Sequence, residues 1–407
     1  MDNKYPTYRP HPFQYRERVE NLCKLIPLDR CMIVLKSFPV QYMSNDIDYV
    51  YRPSTDIIYL CGFPEPESGL VIFKDYTTIN TCLYVREKCP DKEVWTGKYF
   101  GLEGTEKFFS IDSTKNIETL DHDIINYTGI IYNQDDIKLY IQQLRLVKDK
   151  DEIKLMRISC QISGRAHIKS MIYSYKQYTK KGDVPEQKID ARLTYEMTKS
   201  GCRRLAYPNV VAAGENATCL HYDAYTSDAK EGDLVLVDAG GEYKYYASDI
   251  TRTWPISGKF SKEQAQIYNI VLKANKECID MTKPGTTIQH IHDHSKTVIK
   301  NSLVELGLLN DDQDIKRFYM HNVGHWIGID VHDCLETDRW NVILKPGHCF
   351  TIEPGIYISS DDDIPIEYRN IGIRIEDDIV ITSDGCEVLS HDVPKEIEDL
   401  NKIFDQI

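Results

Sequence analysis

The sequence predicts an α/β (α+β) protein: a mixed α/β domain, then a second domain made of two halves related by a pseudo-two-fold axis. Three observations lead there. Helix-like and strand-like runs alternate through the first 145 residues, a long helical stripe begins abruptly near residue 149, and the segment 232–240 is echoed at 347–355. A length of 407 residues suits two domains at roughly 100–200 residues each. The expected domains are 1–148 and 149–407.

In the first domain, Arg16 to Leu25 has helical character, while CMIVLKSF (31–38), SGLVIF (68–73) and TCLYVR (81–86) are apolar runs of strand length. The glycines of FGLEG (100–104) precede no phosphate-loop lysine and are expected in a turn. Asp149 followed by Glu152 is a capping-box pattern, in which each side chain satisfies the other's backbone N–H at a helix start. Behind it, Ile153, Met156, Cys160, Gly164, His167 and Met171 fall on one helical stripe, which makes His167 a core or rim histidine.

The echo organises the second domain. GDLVLVDAG (232–240) and GHCFTIEPG (347–355) each open with Gly, place an acid six positions later, and close with Gly. Each is followed by a strand-like segment with its own embedded acid, Asp249 in SDITRTW and Glu376 in GIRIEDDIVI. Two related halves would bring Asp238, Asp249, Glu353 and Glu376 together.

Burying an unpaired carboxylate costs several kcal/mol, so acids at the ends of apolar runs need a cation, a hydrogen-bond network or a proton. Four of them make metal the economical answer. The alternative is a pair of structural arginine–carboxylate bridges, with Arg252 and Arg374 as the available cations. HNVGHWIGIDVHD, between the two acidic segments, adds His321, His325 and His332. Carboxylates with an imidazole describe an oxygen-rich dinuclear site, where two divalent ions offset four charges and acidify a bridging water to hydroxide. His221 in GENATCLHYD could supply a second imidazole for proton transfer or substrate holding. The run HIHDH (290–294) follows the helix-start signal PGTT and is expected to be a solvated helix face, not a ligand cluster.

Composition excludes several function classes. Asp and Glu (63) outnumber Lys and Arg (49), and the net charge of −14 disfavours nucleic acid and anionic membranes as partners. No run approaches the roughly 18 apolar residues of a membrane span. The amino-terminal residues show neither a secretory nor a transit pattern. Twelve cysteines without CxxC spacing suit reduced thiols. A cytoplasmic location is expected.

Taken together, the motifs resemble the metal-dependent Xaa-Pro aminopeptidases, the aminopeptidase P and prolidase group of the pita-bread (creatinase-fold) metallopeptidases. The resemblance runs from YRPSTDIIYLCGFPEPESGLVIF through EVWTGKYFG towards the end of the sequence. Its most specific blocks are AYPNVVAAGENATCLHY, LVLVDAGGEYKYYASDITRTWPISGKF, HNVGHWIGIDVHD, TIEPGIYI and IGIRIEDDIVIT. The first and third look most similar to the mitochondrial-type branch that includes intermediate-cleaving peptidases, although no targeting extension is evident here. The resemblance implies a creatinase-like N-terminal domain over 1–148 and a pita-bread catalytic domain over 149–407.

By motif, Asp238, Asp249, His325, Glu353 and Glu376 match the five metal ligands, for two divalent ions with Mn²⁺ first and Co²⁺, Zn²⁺ or Mg²⁺ also compatible. His221 and His332 match histidines that bind substrate and assist proton transfer. His321 matches the histidine beside the proline pocket, Tyr357 and Arg374 match groups behind the ligands, and Tyr207 matches a hydroxyl near the metals. The implied activity is hydrolysis of an N-terminal Xaa-Pro bond by a metal-bridging hydroxide, with His332 or His221 on the oxyanion and Glu353 returning a proton to the leaving proline nitrogen. The expected substrates are peptides with proline second, and the expected assembly is a homodimer or homotetramer. The alternatives are a prolidase acting on dipeptides, a methionine aminopeptidase, and a non-catalytic pita-bread binding protein.

Overall fold

Arg30–Lys36 (β1) is buried along five consecutive residues and is an inner strand of a five-stranded sheet. The computed structural model describes residues 4–338, 340–360 and 363–406, and the chain divides into two compact units, Met1–Leu144 and Arg145–Ile407.

In the first unit, β1 pairs antiparallel with Gly69–Asp75 (β2), which turns back into Thr78–Val85 (β3). Ser113–Asn116 (β4) and Ile131–Tyr132 (β5) add parallel at the two edges, giving the order β4-β3-β2-β1-β5. Tyr15–Leu25 (α1) buries Val19, Leu22 and Cys23 on one side, as its periodicity requires. The FGLEG glycines depart from the expected turn. Gly101–Phe108 (α2) is helical, and Gly101 and Gly104 are buried there, with no room for a side chain against Lys88 and Tyr5 respectively.

The second unit opens with Lys150–Lys181 (α3), 32 residues long. The capping box forms: Asp149 accepts from the N–H groups of Asp151 and Glu152, and Glu152 accepts from that of Asp149. Gly182, left-handed at φ 83°, ends the helix. The buried face is wider than the apolar stripe because it includes serines. Ser159 donates to the Gly241 carbonyl at 2.8 Å, and Ser163 accepts from the Gly241 N–H at 2.9 Å. His167 is fully buried, with Nε2 3.0 Å from the Ala239 carbonyl, and is a core histidine.

Glu186–Lys199 (α4) packs on α3, and two further helices, Lys262–Met281 (α5) and Ile288–Glu305 (α6), pack on each other. Val210–Ala213 (β6), Leu234–Asp238 (β7) and Thr251–Pro255 (β8) make one antiparallel sheet in that order. Cys349–Ile352 (β9), Asp377–Ile381 (β12) and Cys386–Val388 (β13) make its counterpart, again with antiparallel neighbours. Between β9 and β12 in sequence, Gly355–Ile358 (β10) pairs with Ile371–Arg374 (β11). Each half thus places an acid at the end of one strand and a second acid just before the strand that pairs with it.

The HIHDH segment is only partly the solvated face expected. His290 and Asp293 are exposed, but His292 is half-buried, its ring 5.4 Å from that of Trp340 and 6.2 Å from that of Tyr319. The i, i+2 spacing turns His292 away from its neighbours and towards the protein.

Candidate active site

Asp238 ends β7 opposite Thr251, the first residue of β8, and Ile352 of β9 faces Asp377 of β12. Those registers carry Asp249 and Glu376, which precede the pairing strands, to the same ends as Asp238 and Glu353. One bridge joins the two halves there. The Glu376 N–H donates to the Thr251 carbonyl at 3.1 Å, and the Thr251 hydroxyl donates to Glu376 Oε2 at 2.6 Å. All four acids line a single cavity of about 640 Å³ with His221, His321, His325, His332, Tyr207 and Arg374. The oxygens of Asp249 and Glu376 and a ring nitrogen of His325 lie within 4.8 Å of one another.

His325 is held for ligation. Its backbone N–H donates to the Thr351 hydroxyl and its carbonyl accepts from the Thr351 N–H. Its Nδ1 lies 3.0 Å from the Trp326 carbonyl, which can only accept, so Nδ1 carries a proton. Nε2 is left facing Asp249 Oδ2 at 3.3 Å and Glu353 Oε1 at 3.8 Å. This is how second partners fix the tautomer of a metal-binding imidazole.

His321 is fixed in the same sense by a different chain. Arg374 donates through Nη1 to the Tyr357 hydroxyl at 2.8 Å, and that hydroxyl donates to His321 Nε2 at 2.8 Å. His321 Nδ1 then donates to the Asn322 carbonyl at 2.8 Å. Burial, with the Arg374 charge beside it, pushes the imidazole down to about 3, so it is neutral in ordinary buffers. The edge of Tyr319 meets the His321 ring at 5.1 Å. His221 and His332 are exposed at the cavity, and the His332 ring lies 4.2 Å from that of His325.

Arg374 also donates to Asp238 Oδ2 at 2.6 Å and to the Thr251 hydroxyl at 3.2 Å. One of the two structural arginine–carboxylate bridges considered from sequence therefore exists. The other does not involve the four acids: Arg252 pairs with Asp377 at 2.7 Å and with the Glu376 carbonyl at 2.6 Å. The Tyr207 hydroxyl reaches Asp238 Oδ1 at 2.6 Å and Asp249 Oδ1 at 2.5 Å. A phenol has one proton, so it donates to one of these carboxylates at a time.

These acids are poorly compensated by the protein alone. Burial raises the Glu353 carboxyl to about 7, against the pull of His325 and Arg374. Burial and the charges of Asp249, Glu353 and Asp238 hold Glu376 well above the carboxylate range. Burial opposes the charge on His325, but the Asp249 hydrogen bond and the neighbouring carboxylates win and raise it to about 9. Four carboxylates against one guanidinium, with a preset imidazole among them, is a donor set that fits hard or borderline divalent cations.

Residues 154–383 match the metallopeptidase family M24, and residues 15–132 match the aminopeptidase P N-terminal domain. The chain belongs to the metallopeptidase family M24. Xaa-Pro aminopeptidase 3 of Homo sapiens is 34% identical over 93% of this chain and 81% of its own length. The Xaa-Pro aminopeptidase of Haemophilus influenzae is also 34% identical, over 89% of this chain and 90% of its own. The mitochondrial intermediate cleaving peptidase 55 of Arabidopsis thaliana is 34% identical over 96% and 82% respectively. Among solved structures, aminopeptidase PepP of Pseudomonas aeruginosa superposes with a TM-score of 0.90 at 34% identity, covering 98% of this chain and 99% of that one. The expected α/β pita-bread architecture is borne out, and this M24 protein is a metalloaminopeptidase of a family that works with divalent ions.

Three residues of the M24 site were not singled out from sequence. Thr251 supports Glu376, Thr351 holds the His325 backbone, and Asp378 Oδ2 accepts the Asp249 N–H at 2.9 Å. Thr251 and Asp378 each lie two positions from a predicted ligand, the spacing that returns to one face of an extended chain. Thr351 has the same spacing from Glu353. Among the described residues no helix is long and apolar enough to cross a membrane.

Proposed function

We propose that this protein removes the first residue from peptides with proline in second position, using two divalent ions, Mn²⁺ foremost. Asp238, Asp249, His325, Glu353 and Glu376 would hold them. The observation that carries this is the convergence of those five side chains on one cavity with the His325 tautomer already set, together with relatives named Xaa-Pro aminopeptidases. The functional division is residues 1–148 and 149–407.

A Xaa-Pro amide has no N–H, and its ring fixes the backbone, so an enzyme must hold the ring itself and activate water strongly. When bound, the metal ions supply a Lewis acid and lower the pKa of the attacking water. Glu353 takes a proton from that water and returns it to the leaving proline nitrogen. His332 and His221, exposed at the cavity, stabilise the oxyanion and hold the substrate. His321, kept neutral by burial and the nearby Arg374 charge, lies against the proline ring without bringing a charge to it. Tyr207 fixes Asp238 and Asp249 relative to each other.

Assay of Mn²⁺-loaded protein on a Xaa-Pro-peptide, a Xaa-Pro dipeptide and a Met-Ala-peptide tests this reading. Cleavage of the first is expected. Cleavage of the dipeptide alone would make the protein a prolidase, cleavage of the third a methionine aminopeptidase, and none at all a binding protein. We further assign it to the cytoplasm as a homodimer or homotetramer. Imaging of the tagged protein tests the cytoplasm against the mitochondrion named for the Arabidopsis relative, and light scattering tests the assembly.

A further inference from the structure

Behind the cavity wall that carries His221 lies a carboxylate with no place in the chemistry above. Glu186, at the start of α4, is fully buried. Its Oε1 accepts the Ala213 N–H at 2.8 Å and the Asn216 side-chain amide at 2.9 Å. Its Oε2 accepts the Tyr222 hydroxyl at 2.8 Å and the Ser227 N–H at 3.1 Å. A carboxylate offers about four lone-pair directions, and here all are filled by neutral donors from one loop, residues 213–227. The Glu186 N–H donates to the Ser227 carbonyl at 3.1 Å, closing the clasp from the other side.

This loop has His221 between its anchored points. The neighbouring Tyr222 donates to Glu186 and accepts the Thr226 N–H at 2.8 Å, and Leu220, His221, Tyr222 and Asp223 line the cavity. Tyr225 holds a left-handed backbone (φ 48°) that a bulky residue adopts only when its surroundings impose it, and its hydroxyl donates to the Asn209 carbonyl. His221 itself is exposed, so its position depends on the loop beneath it and not on packing around the ring.

We propose that Glu186 is a positioning residue for His221: its carboxylate fixes the 213–227 loop and so presents the imidazole to the substrate. This rests on the role given to His221 above. A residue that acts through another adds nothing once that other is gone, whereas a general loss of structure adds to every background. Gln at 186 offers one acceptor oxygen and turns an N–H₂ group towards donors, so it breaks the clasp at nearly constant volume.

The test is a double-mutant cycle of Glu186→Gln with His221→Ala in the Mn²⁺-loaded enzyme on a Xaa-Pro-peptide, with metal content measured throughout. Expected are full metal content, a kcat about 10- to 100-fold lower for Glu186→Gln, and a double variant within about 3-fold of His221→Ala alone. Multiplying losses, lost metal or wild-type kinetics in Glu186→Gln overturns the proposal. If His221→Ala itself has wild-type kinetics, the role of His221 fails first, and with it the proposal. Should Glu186→Gln not fold, Tyr222→Phe removes one donor and leaves both backbone ones. It is expected to lower kcat several-fold in the wild-type background and not in His221→Ala. Equal effects in both backgrounds, or none in either, overturn it.

Discussion

Thr251 and Glu376 join the two halves of the catalytic unit twice over, by a backbone hydrogen bond of 3.1 Å and a hydroxyl–carboxylate bond of 2.6 Å. The hydroxyl also accepts from Arg374, which in turn holds Asp238, so one side chain touches the supports of acids from both halves. Thr251→Val keeps the shape and removes the hydroxyl. Metal affinity is expected to fall about 10- to 100-fold, the usual weight of a group behind a ligand. Competition with a chelator measures it, and affinity within twofold of wild type would refute this role.

Asp249→Asn or Glu376→Gln is expected to abolish hydrolysis in a chain that still folds, because each removes a charge that the cation must find there. Circular dichroism with metal analysis and turnover reads all three quantities. Wild-type turnover by a metal-replete variant of either kind sinks the five-ligand assignment.

The histidines divide by position. His221→Ala and His332→Ala should keep the wild-type metal content and lose about 10²–10⁴-fold in turnover, as positioned acid–base or oxyanion groups do. His321→Ala should raise KM for proline substrates more than it lowers kcat, since its ring is expected beside the substrate ring. Loss of metal in His332→Ala would reassign that residue as a ligand.

Stability in acid should depend on Asp333. This carboxylate is buried against Lys148 at 3.0 Å and also pairs with Arg145. Burial alone would raise its pKa, but the two cations outweigh it and hold it below the ordinary value of 3.8. A depressed carboxylate stabilises the fold above its unfolded pKa, about 3.9, and that contribution is lost as pH falls towards the folded value. Asp333→Asn should therefore cost about 3–5 kcal/mol at pH 7, by stranding buried cations, and progressively less below about pH 4. Denaturant unfolding of both proteins across this range checks the trend, and a cost that does not change with pH would contradict it.

The acid quartet was legible because its signal is local. An acid closing an apolar strand, repeated at equal spacing from a glycine, marks itself out, and Asp238 and Glu353 both line the cavity, half-buried there. What escaped was set by contacts far apart in the chain. Lys148 and Asp333 are 185 residues apart, and neither periodicity nor composition couples them. Arg252 and Arg374 looked alike in sequence, yet one pairs with Asp377 and the other with Asp238. His292 was taken with exposed His290 and Asp293 because a run so rich in polar residues hides which of them are half-buried. Glu186 gave no signal, since a single acid at a helix start is ordinarily a favourable charge for the helix dipole.

The seam at Thr251 also bears on how the enzyme comes into being. A cation site that activates water can act only once all of its ligands are present. Here the first pair of acids is synthesised long before the second, and Glu376 reaches the seam only after β9 and β10 exist to receive it. A growing chain therefore carries at most half a cation cage until Glu353 is added. The order of the sequence itself thus delays completion of the cage until Glu376 has been added.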